Sequence, residues 1–424
     1  MSGSGGSPIW HPFTQHALQP HMLEVAGAQG AWLEMADGRR ILDSISSWWV
    51  VTHGHCHPRI VAAVEAQARR LDQVIFAGFT HAPAETLARG LIEIAPPGLA
   101  HVFFSDSGST SVEVALKMAL GYWRNIGAPR SRIVALEHGY HGDTVGGMSV
   151  GARGVFSAAY DPLLFDVVRI PFPAAGREQA TIDAFAAACA VEPVAALIVE
   201  PLILGAGGML IYDAGVLREL KRVAEAHGAL LIADEVMTGW GRTGELFACD
   251  AAGVAPDILC LAKGITGGSL PLAVTLCTAP IFEAHRSADR TKTFFHSSSY
   301  TANPIACAAA VANLDIWRTE PVADRVAALA AGHAERLAPF RADTRFVNVR
   351  QLGAIAALDL AVGDAGYLVG VGPRLTQYFI DRGVLLRPLG NTIYVMPPYC
   401  ITPAELDLIY AAIAEAPRAV EDPT

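Results

Sequence analysis

The 424 residues are 52% hydrophobic and 17% charged, which is ample for a large core spread over two or three lobes. A formal net charge of −10, with no Lys/Arg run, argues against a nucleic-acid partner. No apolar run is long enough to span a bilayer, so no membrane association is expected.

In chain order, the start MSGSGGSPIW is a Gly/Ser leader without the basic-plus-apolar pattern of a secretion signal. Residues 46–55, SSWWVVTHGH, set Trp48 beside Trp49. Neighbouring side chains share no face of a helix or strand, so at least one ring is expected to miss the local core. His53, His55 and His57 alternate at period two. That run has no carboxylate and contains Gly and Pro, so it reads as a turn with solvated histidines rather than a metal site, and no metal is expected.

From about residue 100 to 280, short apolar runs alternate with polar or Gly-rich turns. Val102–Phe104 leads into SDSGSTS, Ile133–Leu136 into EHGYHGD and Ala195–Val199 into Glu200-Pro201. Ala229–Ala233 leads into Asp234-Glu235, and Ile258–Ala262 into Lys263-Gly264. Continuous apolar runs suit strands buried on both faces, and helical patterns such as residues 112–120 and 217–226 fall between them. The fold class is therefore α/β, with a mostly parallel sheet in a large domain over 56–314. Residues 315–424 mix helices with short strands such as GAIAALDL and TIYVMPP and form a small α+β domain, joined by the segment 1–55. The seven cysteines, without a C-x-x-C pair, read as reduced residues of a cytoplasmic protein.

Open α/β sheets bind ligands beyond the carboxyl ends of their strands. The residues predicted there include Ser107, Gly108, Ser109, Tyr140, His141, Glu200, Asp234 and Lys263. Lys263 ends an apolar run, where partial burial lowers an ammonium pKa and frees the amine for a Schiff base with an aldehyde cofactor. Asp234, at the preceding strand end, suits a partner for a pyridine nitrogen, although a carboxyl there also suits a helix N-cap. SDSGSTSVE (105–113) combines a glycine, hydroxyls and a following helix N-terminus, which together favour a phosphate. Thr110 and Glu113 also fit a T-x-x-E capping box. The stretch matches neither G-x-G-x-x-G nor a P-loop.

These residues, in this order, resemble the class III (ω) pyridoxal-phosphate aminotransferases of the aspartate-aminotransferase fold. The resemblance rests on SDSGSTSVEVALKMA, HGYHGDT, VEPLILGAGGM, LLIADEVMTGWGRTG, DILCLAKGITGGSLPL and SYTANPIACAAA, and it covers nearly the whole chain. Four further stretches resemble the biotin-biosynthesis branch of that class: IWHPFTQ (9–15), SISSWWVVTHGH (44–55), residues 239–264 and LLRPLGNTIYVMPPY (385–399). The resemblance implies a cofactor, pyridoxal 5'-phosphate, attached to Lys263, which also shuttles the proton. It implies Asp234 on the pyridine nitrogen, Val236 and Tyr140 on the two ring faces, and Glu200 near the phenolic edge. Gly108 and Ser109 would hold the phosphate, and Ser299 would reach the phosphate of the neighbouring subunit of a homodimer. Phe13, Trp48, Trp49, Arg242, Arg387 and Tyr394 would line the substrate pocket. The implied substrates are 8-amino-7-oxononanoate and, as amino donor, S-adenosylmethionine. Phe13 stands where some members carry Tyr, which leaves lysine open as the donor. A broad-specificity ω-amine:pyruvate aminotransferase, a same-fold aminomutase and a catalytically silent cofactor-binding protein are the competing readings.

Overall fold

The computed structural model describes residues 7–363 and 370–421; most of the Gly/Ser leader, residues 1–6, lies outside the described residues. At its centre is a seven-stranded sheet in the order Leu99–Ser105, Ala273–Thr278, Ile258–Leu261, Leu230–Asp234, Val194–Val199, Arg132–Leu136, Val168–Ile170. Ala273–Thr278 runs antiparallel to both neighbours, and the other paired neighbours are parallel.

The expected apolar runs form this sheet because both of its faces are covered. In Val194–Val199, Leu197 and Val199 join a core with Phe185 and Leu217 of the helices Glu178–Val191 and Ala214–Ala226. Ala196 and Ile198 point the other way, into a core with Val112 and Ala115 of the helix Gly108–Asn125. Every residue of that strand is buried, so its sequence shows no alternation.

Two smaller sheets flank the site. Val25–Gln29, Trp32–Met35 and Arg40–Asp43 form an antiparallel meander, and Val384–Leu385 adds in parallel to its edge. That pairing joins the N-terminal segment to the C-terminal part. Phe346–Leu352, Ile355–Leu360 and Thr392–Val395 form a three-stranded antiparallel sheet, packed with the helices Val322–Leu337, Val371–Asp381 and Pro403–Glu415. The helix Pro304–Thr319 runs unbroken through residue 315.

The helix cap after SDSG sits three residues earlier than expected. Ser107 and Thr110 form the capping box, and Glu113 Oε1 instead accepts the Gly146 N–H at 2.6 Å. The histidines are not solvated as expected. His53 is buried and its Nε2 lies 2.8 Å from Asn313 Oδ1, while His55 Nε2 lies 2.8 Å from the buried Asp43. All seven cysteines are free thiols, with Cys56 and Cys400 exposed and the other five buried. Among the described residues no helix is long and apolar enough to cross a membrane. No group of three His, Cys, Asp or Glu among them is placed to hold a metal ion.

Candidate active site

The carboxyl ends of five central strands open onto a cavity of about 430 Å³. Ser107, Gly108 and Ser109 follow Leu99–Ser105, Tyr140 and His141 follow Arg132–Leu136, and Glu200 follows Val194–Val199. Asp234 ends its strand, Val236 lies two residues on, and Lys263 follows Ile258–Leu261. The cavity lies where the sequence pattern put it, beyond the strand ends of an open α/β sheet.

One end of this cavity is a backbone cradle. Ser107 Oγ accepts the Thr110 N–H, and the first main-chain bond of the helix runs from Ser111 N–H to Ser107 O. The cap thus uses neither the Gly108 nor the Ser109 N–H, and both residues line the cavity at the start of an 18-residue helix. Such an N-terminus favours a phosphate. Gly108 is needed sterically, because a Cβ there would sit 2.6 Å from Val236 Cγ1.

In the same cavity, Asp234 is buried and fixed on both oxygens. Oδ1 accepts the Val236 N–H at 3.1 Å, and Oδ2 lies 2.6 Å from His141 Nδ1. Burial works against charge on His141, but the hydrogen bond to Asp234 and the charges of Asp234 and Glu200 outweigh it, so its pKa stands above the ordinary value. Glu200 accepts N–H groups from Tyr140 and Gly205, and burial pushes its pKa up to about 7. Lys263 sits in a short turn with a left-handed φ of 45°. Burial lowers its ammonium pKa, against the opposing pull of Asp234 and Glu200.

A second cavity, about 380 Å³, adjoins the first. Trp49, Tyr140 and Lys263 line both, so the amine stands at their junction. Phe13, Trp48, Phe156, Arg387 and Tyr394 complete most of its wall. Trp49 is 5% exposed and Trp48 42%, so the two rings do part company as expected. Trp49 Nε1 donates to Tyr394 Oη at 3.1 Å, and the Lys263 amine lies 5.3 Å from the Trp49 ring centre. Trp48 meets the Phe13 ring edge-on, and the Arg387 guanidinium lies 5.3 Å over its face.

One residue expected to line the substrate pocket lies elsewhere. Arg242 is 1% exposed, and its guanidinium donates to the carbonyls of Trp49, Val51 and Pro397. It supports the tryptophan turn from behind and is absent from both cavity walls. Ser299 lines neither cavity; its carbonyl accepts Gln73 Nε2 at 2.6 Å on an exposed face. Two supporting residues went unassigned in the sequence, His141 as the partner of Asp234 and Asn313. Asn313 Nδ2 donates to the carbonyls of Gly264 and Ile265, directly after Lys263.

A family model described as aminotransferase class III matches residues 13–416. The chain belongs to the class III aminotransferases. Pyridoxal phosphate is the cofactor of this class, and the residues present fit it: a backbone cradle for phosphate, a fixed carboxyl, and a lysine beside it. Among curated relatives, the adenosylmethionine-8-amino-7-oxononanoate aminotransferase of Synechococcus elongatus is 50% identical, over 96% of this chain and 97% of its own length. The Geobacter sulfurreducens protein of the same name is 39% identical, over 95% and 93%. Among solved structures, the Methanocaldococcus jannaschii protein of that name superposes with a TM-score of 0.92 at 32% identity, covering 97% of both chains. An amine transaminase from an uncultivated Pseudomonas species, solved with pyridoxal phosphate, also gives 0.92, at 35% identity over 97% of this chain and 99% of its own.

Proposed function

We propose that this class III aminotransferase moves an amino group from S-adenosylmethionine to 8-amino-7-oxononanoate, giving 7,8-diaminononanoate for biotin biosynthesis. The observation that carries the reading is the second cavity, an aromatic chamber with one arginine that meets the cofactor cavity at Lys263. The acceptor has an aliphatic chain ending in a carboxylate, which suits aromatic walls and Arg387. A sulfonium donor is attracted to an aromatic-walled chamber of this kind. The names of the curated relatives agree.

Within the site each residue has a distinct task. When bound, pyridoxal phosphate supplies an aldehyde and an electron-withdrawing ring that stabilises negative charge at the substrate carbon. Gly108 and Ser109 would hold its phosphate and Asp234 the ring nitrogen, with Val236 and Tyr140 against the ring. The His141 bond fixes the Asp234 carboxyl, so no reorientation is needed as charge develops. Burial keeps the Lys263 amine ready to lose its proton, and Nζ can then take a proton from the substrate carbon and return it. Trp49 and Tyr394, both buried and bonded to each other, wall the junction against water.

The working unit in this reading is a cytoplasmic homodimer. The exposed apolar residues Ile75, Phe79, Phe295 and Tyr300 lie on two segments tied together by Gln73 and Asn303, and Ser299 sits among them. An exposed apolar patch marks an interface, and it would carry Ser299 toward a partner's phosphate cradle. Free thiols throughout suit a reducing compartment.

The deciding experiment is the donor half-reaction, followed by visible absorbance of the bound cofactor. S-adenosylmethionine is expected to discharge the absorbance and 8-amino-7-oxononanoate to restore it. Response to lysine alone would keep the acceptor and change the donor, as the absent hydroxyl at Phe13 allows. Response only to a simple amine would replace this reading with the amine transaminase activity of the Pseudomonas relative. Lys263→Ala should reduce turnover by about 10³-fold or more, the scale of a lost acid–base group.

A further inference from the structure

The tryptophan turn is the most contorted stretch near the site. Ser46, Ser47 and Trp49 all have left-handed φ, at 52°, 59° and 67°. Residues with a Cβ adopt that region rarely, and a tryptophan more rarely still, so something must hold the turn. Arg242 holds its exit from behind. Its entry is tied to Met396 by the Ser46 hydroxyl, which donates to the Met396 carbonyl at 2.8 Å, and Ser47 is held by one buried carboxyl. Asp43 Oδ1 accepts the Ser47 N–H at 2.8 Å and the Ile45 N–H at 3.4 Å. Its Oδ2 accepts the Ser47 hydroxyl at 2.9 Å and faces His55 Nε2 at 2.8 Å.

We propose that Asp43 and His55 are positioning residues for substrate specificity, acting together through Ser47 to set the Trp48–Trp49 wall. Asp43 ends the strand that pairs with Val384–Leu385, two residues before Arg387. The same strand end therefore anchors the segment leading to Arg387 and the turn that carries Trp48 to meet it. His55 is itself anchored, because its N–H and carbonyl bond to Gly30 at 2.7 and 3.2 Å. It can thus hold Asp43 Oδ2 in place while Ser47 is gripped by both oxygens. Neither Asp43 nor His55 lines a cavity, so both act only through the turn.

The inference rests on the substrate reading above, and the test separates the two. Wild-type enzyme is first assayed with S-adenosylmethionine and 8-amino-7-oxononanoate; lack of turnover there removes the substrate reading. Given turnover, His55→Ala, His55→Gln and Asp43→Asn are compared for KM, kcat, cofactor absorbance and Tm. His55→Ala and Asp43→Asn should raise KM for 8-amino-7-oxononanoate by about tenfold, with kcat and absorbance near wild type, because ground-state and transition-state contacts are lost alike. His55→Gln, which keeps an N–H donor, should restore KM to within about twofold. If Asp43→Asn does not fold, the two His55 variants decide. An unchanged KM in His55→Ala overturns the proposal. So does a joint collapse of Tm and cofactor absorbance in that variant, since His55 would then support the fold at large.

Discussion

Glu235 follows Asp234 and is fully buried, yet faces neither cavity. It accepts the N–H groups of Ala248 and Cys249 and the Thr238 hydroxyl, all within 2.9 Å, which pins the loop that carries Arg242. Burial nonetheless pushes its pKa up to about 7 from 4.5. The folded state thus holds this proton more tightly than the unfolded chain. The associated stability is full below the unfolded pKa and is lost as pH rises between 4.5 and about 7, with a slope near 1.4 kcal/mol per pH unit. Glu235→Gln removes that slope. Urea midpoints of the two proteins should therefore show a wild-type advantage that shrinks from pH 5 to 7 and is constant above; a difference independent of pH would contradict this. At the same scale, Lys263 and Asp234 could be read from the sequence because each directly ends an apolar run. His141 and Asn313 could not be assigned roles, since each acts through a contact far along the chain, 93 residues from His141 to Asp234 and 49 from Asn313 to Gly264. Asp43 acts on Ser47 only four residues away, but through a strained turn that has no sequence signature. Arg242 was legible as part of a motif but not in its orientation, which only the tryptophan turn behind it explains.

At the scale of elements, the strands leading to the site were legible because burial on both faces leaves an unbroken apolar run. The same fact hides strand direction. Ala273–Thr278 is buried over five of its six residues and runs antiparallel, and nothing in AVTLCT distinguishes it from its parallel neighbours. The helix after SDSG was legible, while its cap was misplaced because Ser107 and Thr110 can both cap. The helix Pro304–Thr319 has a role its sequence conceals. It carries Asn313, whose amide grips the carbonyls of Gly264 and Ile265 while its oxygen faces His53. Burial pushes His53 down to about 4, so it is neutral at physiological pH and donates from Nε2 to that oxygen. Asn313→Leu would strand two buried groups, the Ile265 carbonyl and His53 Nε2, behind the strained Lys263 turn, while the Gly264 carbonyl keeps the Gly267 N–H. It should cost about 2–4 kcal/mol of stability in urea unfolding, from the desolvation of unpaired groups. Cofactor recombination with the apoprotein should slow as well; unchanged recombination with lowered stability would confine Asn313 to the fold.

At the scale of the whole molecule, the remaining question is what completes the phosphate cradle. Ser107 is already committed to its helix cap, and the Ser109 hydroxyl already accepts the Asp143 N–H at 3.2 Å. The exposed face around Ser299 holds large apolar residues, with Phe295 at 70% and Tyr300 at 65% exposure. A two-fold contact through that face would bury them and make the relation reciprocal, each chain lending Ser299 to the other's cradle. Hybrid dimers test this directly. A Lys263→Ala chain lacks the amine of its own site but still lends Ser299. A Ser299→Ala chain keeps its amine and lends nothing. In a hybrid of the two, one site has both groups and the other has neither. After random reassortment half the dimers are hybrids, so about a quarter of all sites should be intact by symmetry. Measured at cofactor concentrations too low to saturate Ser299→Ala homodimers, mixing should raise activity above the mean of the two separate variants, toward that fraction. If Ser299 served its own chain, no arrangement of the mixture would contain an intact site, and the activity would stay at the mean.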